Sequence, residues 1–101
     1  MRMVESDVKK AIKKLITARG GFWSDITGGP YSKPGDPDIV VCYREKYIGL
    51  EGKYFNGRPS QVQKDRKMQI EAAGGRFLFP TSTVSVEKLL DEIDRELDSQ
   101  G

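Results

Sequence analysis

Apolar residues at Val8, Ala11, Ile12, Leu15 and Ile16 recur at the spacing of one helical face, and Gly20-Gly21 ends the run. This pattern predicts a helix from about Glu5 to Arg19. "GFWSDI" then reads as a short strand, and "TGGPYSKPGDP", dense in glycine and proline, as a loop. The β-branched run Ile39 to Tyr43 is followed by a polar turn around Arg44-Glu45-Lys46 and a second strand from Tyr47 to Lys53, which together predict a hairpin. "FNGRP" is a further turn. Ser60 is a good N-cap for a helix continuing to Ala73 and ended by Gly74-Gly75. The stripe of that helix is only weakly apolar, because Gln63 and Arg66 lie close to Val62, Ile70 and Ala73. "RFLFP" predicts a short buried strand, and Val86, Leu89, Leu90, Ile93 and Leu97 an amphipathic C-terminal helix. The order α-β-β-β-α-β-α predicts an α/β fold with a mixed sheet flanked by helices. No repeat or linker divides residues 1–101, so one domain is expected.

Composition narrows the chemistry. The 101 residues contain no histidine, which removes Ser-His-Asp and Cys-His triads, histidine zinc sites and histidine general bases together. Hydrolytic chemistry must then rest on carboxylates, lysine, hydroxyls or a metal-activated water. Cys42, the single cysteine, rules out an intrachain disulfide, and its apolar strand predicts a small core residue. No apolar run approaches the roughly 18 residues of a membrane span, and "MRMVESDVKK" is charged where a signal peptide is apolar. A soluble, cytoplasmic protein without membrane contact is expected.

The net charge of +2 is unevenly spread. Residues 84–101 carry −4, leaving +6 on residues 1–83. A basic body with an acidic terminal helix suits a polyanionic partner. Lys9, Lys10, Lys13 and Lys14, on the polar face of the first helix, either track phosphates or are simply solvated.

The second hairpin strand ends in two opposite charges. Side chains alternate along a strand, so Glu51 and Lys53 project from one face, about 7 Å apart at their α-carbons, while Leu50 and Gly52 face the other. A short turn after Tyr43 makes the strands antiparallel, which brings Asp38, at the start of one, beside Glu51 at the end of the other. Such a trio is either a surface salt bridge contributing about 0–1 kcal/mol or a hard-metal site, because Mg²⁺ prefers carboxylate oxygens and retains several waters. Pro37 fixes a backbone angle beside Asp38, and Gly52 permits close approach of a carbonyl or a neighbouring element. Gln63, in the first turn of the following helix, faces back toward the strand end and either holds water or phosphate or is solvated.

"GDPD", then "GLEGK" after a short hairpin, then "RPSQVQ" and a helix closing in "GG", resembles the virus-type replication-repair nuclease (VRR-NUC) domain of the PD-(D/E)XK nuclease superfamily. The resemblance runs from Glu5 to about Ser82. It implies a restriction-endonuclease-like fold and places the family's functional residues on Pro37, Asp38, Glu51, Lys53 and Gln63. Asp38 and Glu51, helped by the Gly52 carbonyl and by Glu5 on the first helix, are then the ligands of Mg²⁺ or Mn²⁺. Lys53 positions the attacking water, and Gln63 orients water or phosphate. Gly52 departs from the family pattern, in which a small or medium apolar residue is more usual.

The implied activity is that of a metal-dependent endonuclease acting on branched DNA, Holliday-junction-resolvase-like and of the stand-alone phage-encoded type, working in the host cytoplasm. Cutting two strands of a junction symmetrically needs two sites related by a twofold axis, hence a homodimer. Lys33, Arg58, Lys64 and Lys67 lie near the proposed site as phosphate contacts, with Tyr31 and Tyr54 available for stacking. Two alternatives use the same residues: a junction-binding module without chemistry, and a sequence-specific restriction-type nuclease.

Overall fold

The computed structural model describes residues 5–26, 37–52, 58–80 and 82–100; the side chains of 5 and 6 are outside that description. Seven elements follow the expected order: α1 (Glu5–Ala18), β1 (Phe22–Asp25), β2 (Ile39–Tyr43), β3 (Lys46–Leu50), α2 (Gln61–Ala72), β4 (Arg76–Leu78) and α3 (Thr83–Asp98). They build one mixed sheet in the order β1-β2-β3-β4, in which β1–β2 and β2–β3 are antiparallel and β3–β4 parallel. A parallel pair needs a crossover, and α2 supplies it.

Alternation along the strands divides the sheet into two unlike faces. Ile39, Val41 and Tyr43 of β2 and Ile48 and Leu50 of β3 point to one face, where Val8, Ile12 and Ile16 of α1 and Val86, Leu89, Leu90 and Ile93 of α3 close over them. This is the hydrophobic core, and the helical periodicity in the sequence pointed to the same residues. On the other face Gly49 and Phe77 lie side by side, and Cys42 is paired with Phe22 and Tyr47. Cys42 is exposed there, not a core residue as its strand suggested. The apolar run Ile39 to Tyr43 hides its parity: only the odd positions meet helices, and Phe22 beside Cys42 is 70% exposed.

Several boundaries differ from the sequence reading. Strand β2 begins after Asp38, and β3 starts at Lys46 and ends at Leu50, before Glu51 and Lys53. Hydrogen bonding nevertheless continues past both ends: Ile26 N–H donates to the Asp38 carbonyl at 2.9 Å, and Glu51 N–H to the Leu78 carbonyl at 3.1 Å. The hairpin turn is thus only Arg44-Glu45, and both residues have positive φ, 49° and 72°. A two-residue hairpin turn of the primed kind demands this, normally from Asn or Gly.

What holds α2 is mainly polar. None of its residues is buried. Its start is a capping box, with Gln63 N–H donating to Ser60 Oγ at 3.2 Å and Ser60 N–H to Gln63 Oε1 at 2.9 Å. It ends at Gly74, whose φ of +97° favours glycine. Lys67 Nζ donates to the Phe77 carbonyl at 2.9 Å, tying the helix to β4.

The acidic charge of α3 is matched by arginines of the body. Asp94 accepts from Tyr43 Oη at 2.9 Å, from Arg19 at 2.8 Å and from Arg44 at 3.0 Å. Arg19 also reaches Asp91 at 2.8 Å, Arg44 reaches Asp98 at 3.2 Å, and Arg76 pairs with Glu96. Arg44, then Tyr43, hold the Asp94 carboxyl below the ordinary carboxylate range, with partial burial working against them. Burial foremost, then the bond to Asp94, pushes the Tyr43 phenol up.

Two outcomes are expected. Replacing Glu45 by glycine relieves a side chain in the left-handed region, and should raise the urea midpoint by the equivalent of about 1 kcal/mol. The Asp94 contribution is fully present above the unfolded carboxyl pKa, about 3.9, and is lost as pH falls through the lower folded value. Acid titration of stability should therefore lose part of its slope below that pH in Asp94→Asn, measured by circular dichroism.

Candidate active site

The candidate site lies at the end of the β2–β3 hairpin opposite its turn. Because Ile39 is paired with Leu50, Asp38 and Glu51 are the next facing positions, just beyond the ends of the two strands. Gly52 N–H donates to Asp38 Oδ2 at 2.9 Å, which fixes the carboxylate against the outgoing strand. Glu51 is only 8% exposed. A carboxylate at such a depth is costly unless donors or a cation answer its charge.

Pro37 is buried and packs across the sheet. A β-carbon built at Gly49 would lie 3.1 Å from Pro37 Cγ and 3.0 Å from the Phe77 ring, so only glycine leaves room for this contact. Gly49 thereby seats the proline that precedes Asp38, a function the sequence reading did not assign. A glycine inside an otherwise apolar strand was the available signal.

Lys9 joins the site from α1, its Nζ 3.9 Å from Asp38 Oδ2. The sequence placed it on a lysine-rich helix face without choosing between phosphate contact and solvation. Half-exposed ion pairs at this distance contribute about 0–1 kcal/mol, so its importance is positional: it brings positive charge beside Asp38. Glu5 opens α1 one turn earlier; its side chain lies outside the described residues, as do Lys53, Lys33, Tyr31 and Tyr54.

The remaining expected residues divide. Gln63 is in the first turn of α2, but its amide oxygen is taken by the capping box, leaving Nε2 as the group it can present to a ligand. Arg58 and Lys64 are exposed near the start of α2. Lys67 is drawn to the Phe77 carbonyl and lies 3.4 Å from Glu71, so its ammonium holds α2 on the sheet.

The Asp38 and Glu51 carboxylates are oxygen donors of the kind that suits a hard divalent cation, and Mg²⁺ is commonly held by one or two carboxylates plus water and substrate phosphate. Among the described residues no three acidic, cysteine or histidine side chains gather. Carboxylates alone suit Mg²⁺ or Mn²⁺ better than zinc, whose sites draw mainly on histidine and thiolate.

No family model and no curated protein matches this chain. A solved structure described as a "VRR_NUC domain" does: it superposes with a TM-score of 0.71 at 25% identity, covering 86% of this chain and 94% of that one. The resemblance drawn from "GDPD", "GLEGK" and "RPSQVQ" is thus matched by likeness of the whole fold. Among the described residues no helix is long and apolar enough to cross a membrane.

Gly49→Ala forces Pro37 or Phe77 to move by a few tenths of an ångström and disturbs Asp38 with it. Urea unfolding should register a loss of about 1–3 kcal/mol, with weaker Mn²⁺ binding by calorimetry. Unchanged stability and metal affinity would show that the Pro37 seat is not needed.

Proposed function

The chain has the fold of a VRR_NUC domain, and on that premise we propose that it is a nuclease, an Mg²⁺- or Mn²⁺-dependent endonuclease hydrolysing phosphodiester bonds in branched DNA. The observation that carries the reading is the Ile39–Leu50 register, which makes Asp38 and Glu51 the next facing positions at one hairpin end, with Gly52 N–H bonded to Asp38 and Lys9 beside it. Asp38 and Glu51 would hold the cation, with the Gly52 carbonyl and Glu5 as further oxygen donors. When bound, the cation lowers the pKa of water and offsets negative charge on the phosphate.

The protein's own groups do the remaining work. Gly52 N–H keeps the Asp38 carboxylate from rotating away, and Pro37 seated on Gly49 keeps its backbone in place. Lys53 lies two residues beyond Glu51, the position from which an ammonium orients the attacking water and answers charge that develops on the phosphate. Gln63 directs its amide nitrogen to water or to a phosphate oxygen. Arg58 and Lys64 extend positive charge from the site, and a DNA substrate supplies the complementary phosphates.

Two strands of a junction require two such sites, so the proposal includes a homodimer. The apolar stripe of α3 is spent in the core, which leaves the exposed Phe22 and Tyr47 as the better contact surface.

The test is a labelled four-way junction incubated with the protein in Mg²⁺ and in EDTA. Products are expected only with metal. Lys53→Ala should keep its fold and its DNA affinity while cleavage falls roughly hundredfold or more. Undiminished cutting by that variant removes Lys53 from the mechanism. Stable binding without products in any divalent metal means a junction-binding module instead, and equal cutting of a linear duplex at one fixed sequence means a restriction-type enzyme.

A further inference from the structure

On the core side of the sheet edge, α1 and β1 enclose a shallow hollow of about 340 Å³ lined by Lys13, Lys14, Thr17, Ala18 and Trp23. Its lining is mostly apolar, because the long lysine stems contribute methylenes. Trp23 is prearranged within it: the indole N–H donates to Thr17 Oγ1 at 3.2 Å, and Lys13 Nζ stands 4.5 Å from the ring centroid. With its polar edge satisfied and Lys13 over the ring, Trp23 offers the hollow the aromatic surface that the ammonium leaves open. A half-exposed tryptophan in a lysine-walled hollow is a surface for an aromatic anion.

The charges around it are not balanced. Lys13 is paired with Asp25 at 2.9 Å, so that carboxylate is answered within the protein. Lys10 and Lys14 are exposed, one turn apart on the same helix face. Lys9, on the same helix, stands beside Asp38. A row of ammonium groups therefore runs along α1 from the candidate active site to the hollow, a distance of one to two helical turns of about 5.4 Å each.

We propose that this hollow receives an unpaired nucleobase, packed against Trp23, of a DNA strand whose phosphates run along Lys10 and Lys14. The inference rests on the nuclease reading and adds to it a second contact for the single-stranded part of a branched substrate, such as a flap or the opened centre of a junction. Base and phosphate are recognised by different parts of the same side chains. The lysine methylenes and Trp23 take the base, and the ammonium groups take the backbone, as in single-strand channels generally. No base sequence is read, since every base has an aromatic face.

Trp23 is the one tryptophan in the chain, so its emission reports the hollow directly. Oligothymidylate is titrated into the full chain in EDTA, following tryptophan emission and, in parallel, the anisotropy of labelled oligonucleotide. Quenching that saturates together with the anisotropy is expected. Lys10→Gln and Lys14→Gln, both surface changes, should each reduce the slope of log affinity against log salt by about 0.7. Trp23→Ala should weaken binding by about five- to a hundredfold; because this ring also touches the core, the lysine variants provide the check that does not depend on its folding. Full binding with unchanged emission overturns the proposal, as does no binding at all or a salt slope indifferent to both lysines. Junction cutting in Mg²⁺ is measured on the same samples. A chain that cuts but shows no tryptophan response loses only this inference, and one that quenches but never cuts loses only the nuclease reading.

Discussion

The pairing of Ile39 with Leu50 is the constraint on which the rest depends. It puts Ile39, Val41, Ile48 and Leu50 together on the face that α1 and α3 cover, and makes Asp38 and Glu51 the next facing positions at the hairpin end. Because side chains alternate, a slip of one residue would send the apolar set outward and separate the carboxylates. Core burial and site assembly are therefore one choice of register, made by the hydrophobic effect. The turn at Arg44-Glu45 accepts two positive φ angles to keep that register, and Arg44 is held there by Asp94 and Asp98.

Electrostatics divide the molecule along the same hairpin. At the turn end, Arg19 and Arg44 bind the carboxylates of α3, which converts an acidic helix into part of the scaffold. At the other end, carboxylates stand on the sheet with lysine nearby. The +6 charge of residues 1–83 therefore overstates what is available to a ligand. Arginines spent on α3 do not attract phosphate; the exposed lysines of α1 and α2 and the exposed Arg58 do.

Helix α2 joins the two aspects of the fold. As the crossover between β3 and β4 it has to be present for the parallel pair to exist, yet it buries no residue of its own. A capping box and the Lys67 bond to Phe77 hold it instead, contacts of roughly 1 kcal/mol each. This explains why its stripe is weakly apolar, and it leaves Lys64 exposed and the Gln63 amide nitrogen outside the capping box.

Local rules were enough to read the element order, the helix caps, the buried faces of α1 and α3 and the proximity of Asp38 to Glu51 directly from the sequence. Each depends on periodicity, on turn chemistry or on antiparallel alternation, all of which act over a few residues. The absence of histidine likewise restricted the chemistry without any structure. Other features depended on residues distant in the chain. Cys42 is exposed because no helix covers its side of β2. Gly49 matters because Pro37 and Phe77 converge on it, and Lys67 is engaged because β4 presents a carbonyl to it. Lys9 meets Asp38, and Asp94 gathers Arg19, Tyr43 and Arg44, across separations that no periodicity encodes. The sequence determined which residues were candidates and which face of each element was apolar; only packing decided which charges were used within the protein and which remained for a partner, because that depends on what the folded chain brings within a few ångströms.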